Sequence, residues 1–333
     1  MTTAAITAID YYLPAGEVSN QDLSREFPDW SVKKIADKTG IDIRHVSAAG
    51  ECSSDLAAAA AERLFASGID RSSIDYVLFC TQTPDYFLPT TACLLQARLG
   101  IPTSAGAVDF NLGCSGYIYG LGFAKGLIET GQARKVLLLT GETYSKLLAT
   151  DDRSVRTVFG DAGSATLVEA ASSATNALGP FVYGSDGAGA RNLIVEHGAF
   201  RKPMSEAGAP AKPTLAMDGA EIFAFTLNTI PAAVDALLGR ADLSPDAVDL
   251  YVFHQANRHM LDHLRRKCAI PEGKFLLHMA DCGNTVSATI PIALCEAARA
   301  GRLKPGAIAV LVGFGVGYSW GATVCRWVGI PAS

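Results

Sequence analysis

Three polar residues in this chain have the types and settings needed for nucleophilic catalysis: Cys114, His254 and Asn284. Cys114 lies among glycines in residues 111–117 (NLGCSGY), at the start of a predicted helix. Unpaired amides and the dipole of a helix start favour a thiolate, and glycines let a substrate approach closely. His254 ends an apolar run typical of a buried strand, and Asn284 opens a second predicted helix. The setting of Cys114 therefore predicts a reactive cysteine.

Each of these residue types also has a structural interpretation. Free cysteine is among the most buried residue types, so a single cysteine is more often structural than catalytic. The other seven cysteines are interpreted as structural: Cys52, Cys80, Cys93, Cys268, Cys282, Cys295 and Cys325. A histidine at a strand end is also more often structural, which is the interpretation for His45, His197, His259, His263 and His278. Asn284 could simply cap the helix that follows it.

An internal repeat runs through the chain. Residues 74–81 align with residues 248–255, and each segment is an apolar run entered through an aspartate. Residues 113–131 align with residues 283–301, and each is followed by an apolar run typical of a strand. Strand, helix and strand therefore recur in one order in both halves of the chain.

The repeat distinguishes the three polar residues from others of their type. It places Cys114 opposite Asn284 and Cys80 opposite His254, at corresponding strand-to-helix ends. Three polar groups at equivalent ends of two duplicated units indicate a shared site, which a structural interpretation of each residue alone does not explain.

The elements that carry these residues predict the fold class. Continuous apolar strands separated by helices indicate an α/β layer fold with buried sheets. Duplication predicts two similar halves, residues 1–175 with the cysteine and residues 176–333 with the histidine and asparagine. Residues 55–65 and 223–238 are further predicted helices, and residues 179–213, rich in Gly and Pro, are predicted to be irregular.

Composition excludes several classes of protein. The 333-residue chain is 49% hydrophobic and 18% charged, which predicts a large buried core. A net charge of −5 leaves no basic excess for nucleic acid. The scattered cysteines and the absence of a leader pattern predict a cytoplasmic protein. Residues 305–325 are uncharged, but five glycines interrupt them, so two strands around a glycine loop are predicted rather than a membrane helix.

A third glycine cluster occupies residues 313–317 (GFGVG), between these two apolar runs. Its simplest interpretation is a tight turn. Its functional interpretation is a backbone amide that points at an oxyanion. The sequence has no zinc-ligand spacing, phosphate-binding loop or well-placed dinucleotide-binding fingerprint, so no metal or cofactor is predicted.

Four ordered motifs resemble those of the β-ketoacyl-[acyl-carrier-protein] synthase III family of the thiolase superfamily. They are residues 111–116 (NLGCSG), 254–257 (HQAN), 283–285 (GNT) and 313–317 (GFGVG). The resemblance runs nearly end to end and includes residues 38–41 (KTGI), 152–153 (DR), 160–161 (GD) and 318–321 (YSWG). It implies a thiolase-like, five-layered α/β fold made of two duplicated halves, a homodimer, and acyl-CoA as a substrate rather than a cofactor.

The resemblance also implies roles for the three polar residues. Cys114 would attack an acyl-CoA thioester and keep the acyl group while CoA leaves. His254 and Asn284 would stabilise the enolate formed when malonyl-acyl carrier protein loses carbon dioxide, and that carbon would attack the acyl-cysteine, giving 3-oxoacyl-acyl carrier protein. The backbone amides of Cys114 and Val316 would form the oxyanion hole. Because a helix start can stabilise the thiolate without a base, His254 and Asn284 are expected to serve the second half-reaction more than the first.

The same resemblance implies binding residues. These are Lys38, Arg153, Gly219 and Asn257 for CoA and pantetheine, Leu88 and Phe223 for the acyl pocket, and Arg265, Arg266 and Lys267 for docking of the acidic carrier protein. The basic run could equally be a solvated helix face. Three departures from housekeeping members indicate a specialised branch with a primer other than acetyl: Val316 replaces a glycine, Ala220 replaces an asparagine, and Trp30 lies too far from Gly40 to be assigned the stacking of adenine.

Other functions remain open from the sequence. A specialised acyltransferase could pass the acyl group from Cys114 to an alcohol, an amine or a different carbanion. A thiolase is disfavoured, because Cys325 lies in an apolar run and no second cysteine stands in a Cys-x-Gly setting near the C-terminus. A non-catalytic subunit of a heterodimeric synthase would be expected to lack one of the three polar residues.

Overall fold

The computed structural model describes residues 2–172 and 177–329, which form an α/β fold. The strands in these ranges are β1 (Thr2–Tyr12), β2 (Gly16–Ser19), β3 (Ile43–Val46), β4 (Tyr76–Cys80), β5 (Gly106–Phe110), β6 (Lys135–Glu142), β7 (Ala162–Ser172), β8 (Leu178–Ser185), β9 (Leu193–Val195), β10 (Leu215–Met217), β11 (Leu250–Phe253), β12 (Ile308–Gly315) and β13 (Ser319–Arg326). The α-helices are α1 (Asn20–Glu26), α2 (Val32–Thr39), α3 (Ser53–Ala66), α4 (Thr91–Arg98), α5 (Gly116–Glu129), α6 (Arg153–Arg156), α7 (Gly219–Ala241), α8 (Arg258–Lys267) and α9 (Thr289–Arg299).

Two large sheets carry the repeat. Their strand orders are β1-β7-β6-β4-β5 and β11-β12-β13-β8. In the first sheet β4 runs parallel to β5 and β6, with Cys80 opposite Phe110 and Thr140. In the second sheet β11 runs parallel to β12, with Phe253 opposite Val312. The predicted recurrence is confirmed, because β4, α5 and β6 have their counterparts in β11, α9 and β12.

The elements stack as helix, sheet, helix, sheet and helix. Helix α5 lies between the sheets and contacts β1 and β6 on one side and β12 and β13 on the other, while α9 contacts β1 and β11. Helices α3 and α4 cover the outer face of the first sheet, and α7, with α8 against it, covers that of the second. The predicted five-layered α/β fold is confirmed.

Helix α3 shows how local sequence produces one layer. Leu56, Ala60 and Leu64 recur at helical spacing and are buried against the first sheet. Alanine has the highest helix propensity, and its small side chain lets the helix lie close to the strands. The predicted helices at residues 55–65 and 223–238 are both confirmed, and each extends beyond its predicted bounds.

Residues 179–213 contain more regular structure than predicted. The expectation of an irregular crossing is wrong for β8 and β9, and β8 pairs with β13 in antiparallel register, with Val182 opposite Ala322. The glycines and Pro180 had indicated a loop. Because β8 is an edge strand of its sheet, a proline there need not remove a ladder hydrogen bond.

The uncharged residues 305–325 form two strands and a glycine turn, as predicted: β12 and β13 pair antiparallel, with Gly315 opposite Ser319.

By length and composition one described helix, α7, could cross a membrane. In this fold α7 contains Pro231 and packs against β8, β12 and β13, as an outer-layer helix does. The predicted boundary between halves, at residues 175 and 176, lies outside the described residues and stays a prediction.

Candidate active site

Cys114, His254 and Asn284 line one cavity of about 90 Å³. Cys114 follows β5, His254 follows β11, and Asn284 precedes the turn into α9. The backbone amide of His254 donates a hydrogen bond to the carbonyl of Val312 on β12, at 2.7 Å. The pairing of β11 with β12 therefore positions His254 at the cavity. The carboxyl ends of parallel strands are where such folds place their sites. The structure therefore brings together the three residues that the repeat distinguishes.

The Cys114 sulfur faces the glycine turn of the other half. The backbone amides of Val316 and of Cys114 itself lie near enough to the sulfur to lower its pKa. Gly315 lies so close that a Cβ there would stand 2.8 Å from the sulfur. Glycine is required at this position because any side chain would displace the thiol. The two amides predicted for an oxyanion hole thus both lie near the Cys114 sulfur.

Burial controls the ionisation of Cys114. Loss of solvent raises the pKa of the thiol to about 12, with a further increase from the buried Glu142, while the two amides lower it. Helix α5 begins at Gly116, with Ser115 as its N-cap, so the thiol precedes the first helical turn. Burial therefore opposes the ionisation that the helix start is expected to favour, and the expected ionisation of Cys114 by the helix start stays a prediction.

His254 lines the same cavity as Cys114. Its Nδ1 lies 2.7 Å from the hydroxyl oxygen of Thr289, and this hydroxyl donates to the carbonyl of Val286 at 3.0 Å. Because the hydroxyl has one proton, it accepts from Nδ1–H, and this assigns the lone pair to Nε2. Burial lowers the pKa of His254 to about 3, against the opposing effect of the Val286 carbonyl, so the ring is neutral at physiological pH.

Asn284 is held by the turn that follows it. Its Oδ1 accepts the backbone N–H of Val286 at 2.9 Å, which leaves the amide nitrogen as the group able to donate into the cavity. Its backbone amide donates to Val158 at 2.9 Å, and its carbonyl accepts from Gly160 at 3.0 Å. Both ends of the residue are thereby positioned before any substrate binds.

Comparison with known proteins identifies the family. Profiles described as 3-oxoacyl-[acyl-carrier-protein] synthase III and its C-terminal part match residues 108–187 and 238–327. A β-ketoacyl-[acyl-carrier-protein] synthase III of Caldanaerobacter subterraneus subsp. tengcongensis is 36% identical over 326 residues, 97% of this chain and 98% of the relative. The chain belongs to the β-ketoacyl-[acyl-carrier-protein] synthase III family.

Solved structures agree with this synthase III assignment. A crystal structure of a 3-oxoacyl-(acyl-carrier-protein) synthase III is 50% identical, with a TM-score of 0.95 over 98% of this chain and 100% of that one. A 3-oxoacyl-(acyl-carrier protein) synthase from Burkholderia xenovorans LB400 is 37% identical, with a TM-score of 0.89 over 99% and 97% of the two chains. The chain is thus an acyl-transferring condensing enzyme of this family.

Two residues predicted to bind CoA in this synthase III chain meet at a tryptophan that sequence spacing did not assign. The Lys38 ammonium lies 5.0 Å and the Arg153 guanidinium 5.5 Å from the ring centre of Trp30. Trp30 directly precedes the N-cap of α2, so its place relative to Arg153 depends on how α2 packs rather than on its distance along the chain from Gly40. The nearby Lys38 is the signal in the sequence that could have identified Trp30 as part of this site.

The other predicted CoA residues, Gly219 and Asn257, line the cavity. Asn257 also caps α8, because its side-chain oxygen accepts the amide of Met260 at 2.9 Å. The structural and binding interpretations of this asparagine are therefore compatible, since its side-chain nitrogen is not used by the cap.

The two residues predicted for the acyl pocket do not line the cavity of Cys114, so their role stays a prediction. Phe223 does not line the cavity; its ring lies 5.5 Å from that of His259, and the preceding residue, Ile222, lines the cavity instead. Successive helical residues point about 100° apart, so only one of the two can face inwards. Leu88 is 82% exposed on the loop after β4 and cannot line the cavity of its own chain.

The basic run Arg265–Lys267 forms the last turn of α8. Arg265 donates to the carbonyl of Ile270 at 3.3 Å, while Arg266 and Lys267 are exposed. A helix rises about 1.5 Å per residue, so Arg266 lies roughly a dozen ångströms along α8 from Asn257 at the cavity. The docking role of this run stays a prediction.

One group of metal-ligating atoms occurs among the described residues. The ligand atoms of His278, Asp281 and Cys282 lie within 4.8 Å of one another. None of the three lines the cavity of Cys114. Burial raises the pKa of the Cys282 thiol far above its ordinary range, and Asp281 is largely exposed. Neither property favours metal binding, because a cysteine ligand must be ionised.

Proposed function

We propose that this synthase III loads an acyl group from acyl-CoA onto Cys114 and condenses it with malonyl-acyl carrier protein. The products are CoA, carbon dioxide and 3-oxoacyl-acyl carrier protein. The observation that carries the proposal is the shared cavity, which is lined by the Cys114 thiol, the imidazole of His254 and the amide side chain of Asn284.

In the first half-reaction Cys114 attacks the thioester carbonyl while Nε2 of His254 takes its proton. The tetrahedral oxyanion accepts hydrogen bonds from the amides of Cys114 and Val316. The carbon–sulfur bond to CoA then breaks, and His254 returns the proton to the departing sulfur. Burial disfavours both a free thiolate and a free imidazolium, so the proton moves to His254 as the sulfur bonds to the carbonyl carbon and not before it.

In the second half-reaction the bond between the α-carbon and the carboxylate of the malonyl group breaks. Carbon dioxide leaves, and the electron pair of that bond forms an enolate. The side-chain nitrogen of Asn284 donates to the enolate oxygen. His254 carries its proton on Nδ1, towards Thr289, so Asn284 is the donor assigned to the enolate. The enolate carbon bonds to the acyl carbonyl carbon, the bond to the Cys114 sulfur breaks, and the sulfur regains a proton from solvent.

The nucleotide end of CoA is proposed to bind at Trp30, with Lys38 and Arg153. An indole ring offers a stacking face for adenine, and the two cations suit phosphates. Gly219 and Asn257 line the narrower part of the route, where the pantetheine arm would pass. Gly219 leaves open space, since a Cβ there would contact nothing.

A homodimer is proposed through the edge of the first sheet. β5 is an edge strand of that sheet, and an unpaired edge invites pairing with another chain. The loop after β4 exposes three consecutive large apolar side chains, Tyr86, Phe87 and Leu88, and contiguous exposed apolar groups mark interaction sites. An acyl-pocket role for Leu88 would then be exercised in the partner copy. Sedimentation equilibrium showing only a monomer would exclude this arrangement.

Two finer assignments complete the proposal. The acidic carrier protein is proposed to dock on exposed Arg266 and Lys267 beside Arg265, with a cytoplasmic location for the whole reaction. Reversal of Arg266 and Lys267 to Glu is expected to slow condensation at low salt while leaving acylation by acyl-CoA unchanged. Unchanged condensation at low salt would make the run a solvated helix face.

The central experiment is a mass measurement on both half-reactions. The protein is incubated with a panel of acyl-CoAs, its intact mass is measured, and peptide mapping locates the adduct. Malonyl-acyl carrier protein is then added and the product mass is determined. Acylation of Cys114 followed by 3-oxoacyl product and carbon dioxide supports the proposal. Transfer of the acyl group to an alcohol or amine without loss of carbon dioxide would establish the acyltransferase alternative instead.

A further inference from the structure

Glu142, the last residue of β6, is completely buried and lies close enough to Cys114 to affect its ionisation. Its carboxyl group accepts the backbone N–H of Gln82 at 3.1 Å and the hydroxyls of Thr83 at 3.1 Å and Ser287 at 3.3 Å. A buried carboxyl is costly unless it is hydrogen-bonded. The three donors come from two segments far apart in the chain, so this side chain joins them.

One of these segments supports the nucleophile. The side chain of Gln82 donates to Asn111 at 3.0 Å and accepts from the hydroxyl of Tyr144 at 2.6 Å. A Cβ on Gly113, the residue before Cys114, would collide with Gln82 Oε1. Gln82 therefore packs directly behind the loop that presents the thiol.

The other segment holds Asn284 and His254. Ser287 lies in the single turn Val286–Ala288. Val286 has a φ of 57°, a left-handed conformation that costs a β-branched residue energy and persists only when its surroundings hold it. The N–H of Val286 fixes Asn284, and its carbonyl fixes His254 through Thr289.

We propose that Glu142 is a positioning residue for the reaction of this site: its carboxyl group joins the support of Cys114 to the strained turn that orients Asn284 and His254. The inference rests on the proposed function, because it assigns Glu142 to the same two half-reactions. Glu142 touches none of the reacting atoms and acts through Gln82 and Ser287. Glu142 and Gln82 belong to the first half of the repeat and Ser287 to the second, so this hydrogen-bonded link connects the two halves.

The protonation state of Glu142 gives the proposal a second consequence. Burial raises the pKa of Glu142 to about 8, and Asp161 raises it further, while its three hydrogen bonds lower it. The other titratable groups that it affects are Cys80 on β4, Tyr144 and Cys114. A neutral Glu142 leaves the Cys114 thiol easier to ionise, and an ionised Glu142 opposes that ionisation.

The test uses two variants that cut the link differently. Glu142→Gln keeps the shape of the side chain but removes its charge, and Ser287→Ala removes the bond to the turn but leaves the charge. Glu17→Gln, at an exposed position on β2, is the matched control. The readouts are the rate of Cys114 alkylation by iodoacetamide from pH 6 to 10, and kcat and KM for condensation, with the folded fraction measured by circular dichroism.

Glu142→Gln is expected to raise the rate of Cys114 alkylation above pH 8, where an ionised Glu142 opposes ionisation of the thiol, whereas Ser287→Ala and Glu17→Gln leave that rate unchanged. Both Glu142→Gln and Ser287→Ala are expected to lower kcat for condensation by about tenfold, with KM for acyl-CoA within about twofold, because small misplacements near the chemistry are costly. An unmoved alkylation profile, or an unchanged kcat in folded Ser287→Ala, would overturn the proposal. Alkylation needs no substrate, so it tests Glu142 even if the wild-type protein proves to have a different acyl acceptor.

Discussion

His254 and Thr289 are joined by a 2.7 Å hydrogen bond between Nδ1 and the hydroxyl oxygen, which orients the only imidazole that lines the cavity within the described residues. The hydroxyl continues to the carbonyl of Val286 at 3.0 Å. This short chain determines which ring nitrogen carries the proton in the resting protein. It therefore determines whether His254 can accept a proton from Cys114.

Thr289→Val is expected to slow acylation of Cys114, because the replacement keeps the shape of the side chain but removes the acceptor for Nδ1–H. Loss of an orienting partner of a metal-bound histidine typically costs about 10- to 100-fold, and a similar loss is expected here. Single-turnover loading of acyl-CoA, followed by intact mass, measures it. Thr289→Ser retains the hydroxyl and serves as the control. Equal rates for the Val and Ser variants would show that the hydroxyl does not set the tautomer.

His254→Ala and Asn284→Ala are expected to separate the two half-reactions. Asn284→Ala should form acyl-Cys114 at close to the normal rate but release carbon dioxide about 10²–10³-fold more slowly, since a donor to the enolate is lost. His254→Ala should slow acylation as well, because burial raises the pKa of Cys114 and the proposed step passes the thiol proton to His254. Radiolabelled carbon dioxide and acyl-enzyme mass are measured on each variant. Normal acylation in His254→Ala would show that the helix start ionises Cys114 without a base.

Gly315→Ala is expected to abolish acylation of Cys114 while the protein still folds. The new methyl group would lie 2.8 Å from both Cβ and Sγ of Cys114, and a thiol displaced by that contact would leave the two amides. Gly126→Ala is the matched control, because Gly126 is an exposed helical position where a Cβ meets nothing. Peptide mapping after treatment with acyl-CoA reports the result. A Gly315→Ala protein that acylates normally would refute the close approach.

Trp30→Ala is expected to raise KM for acyl-CoA with little change in kcat for acylation. Stacking of a base on an aromatic side chain is worth about 1–3 kcal/mol by alanine substitution, which corresponds to roughly 5- to 150-fold in binding. Acyl-pantetheine, which lacks the adenine, is the matched substrate. Its KM should not change in this variant. A similar increase for both donors would assign Trp30 to support of α2 rather than to the nucleotide.

The free energy of unfolding is expected to fall as pH rises through the neutral range, and Glu142 should cause part of that fall. Folding raises its pKa from 4.5 to about 8, so its stabilising contribution is complete below pH 4.5 and is lost as pH rises towards 8. His254 has the opposite sign: its pKa falls from 6.5 to about 3, so its contribution is lost only as pH drops below 6.5. Urea unfolding at pH 7 and 8.5 should show a smaller decrease for Glu142→Gln than for the wild type. Equal decreases would mean that Glu142 is ionised throughout.

The order of elements and the identity of the candidate catalytic residues could be predicted from the sequence. Strands of a parallel sheet are buried on both faces, so each appears in the sequence as a run of consecutive apolar residues, as before His254. The glycines around Cys114 and at Gly315 are equally local signals, since each permits a close approach that a side chain would prevent. Duplication then placed Cys114 and Asn284 at equivalent ends without any knowledge of their contacts.

Only the tertiary structure decided the ionisation of those residues and the residues that they contact. Burial raises the pKa of Cys114, and that burial depends on every layer around the residue. Trp30 meets Arg153, and Glu142 meets Ser287, across 123 and 145 residues of chain that no periodicity relates. Ionisation and long-range hydrogen bonds depend on solvent exclusion and distance in space, and both exist only after the two halves have packed together.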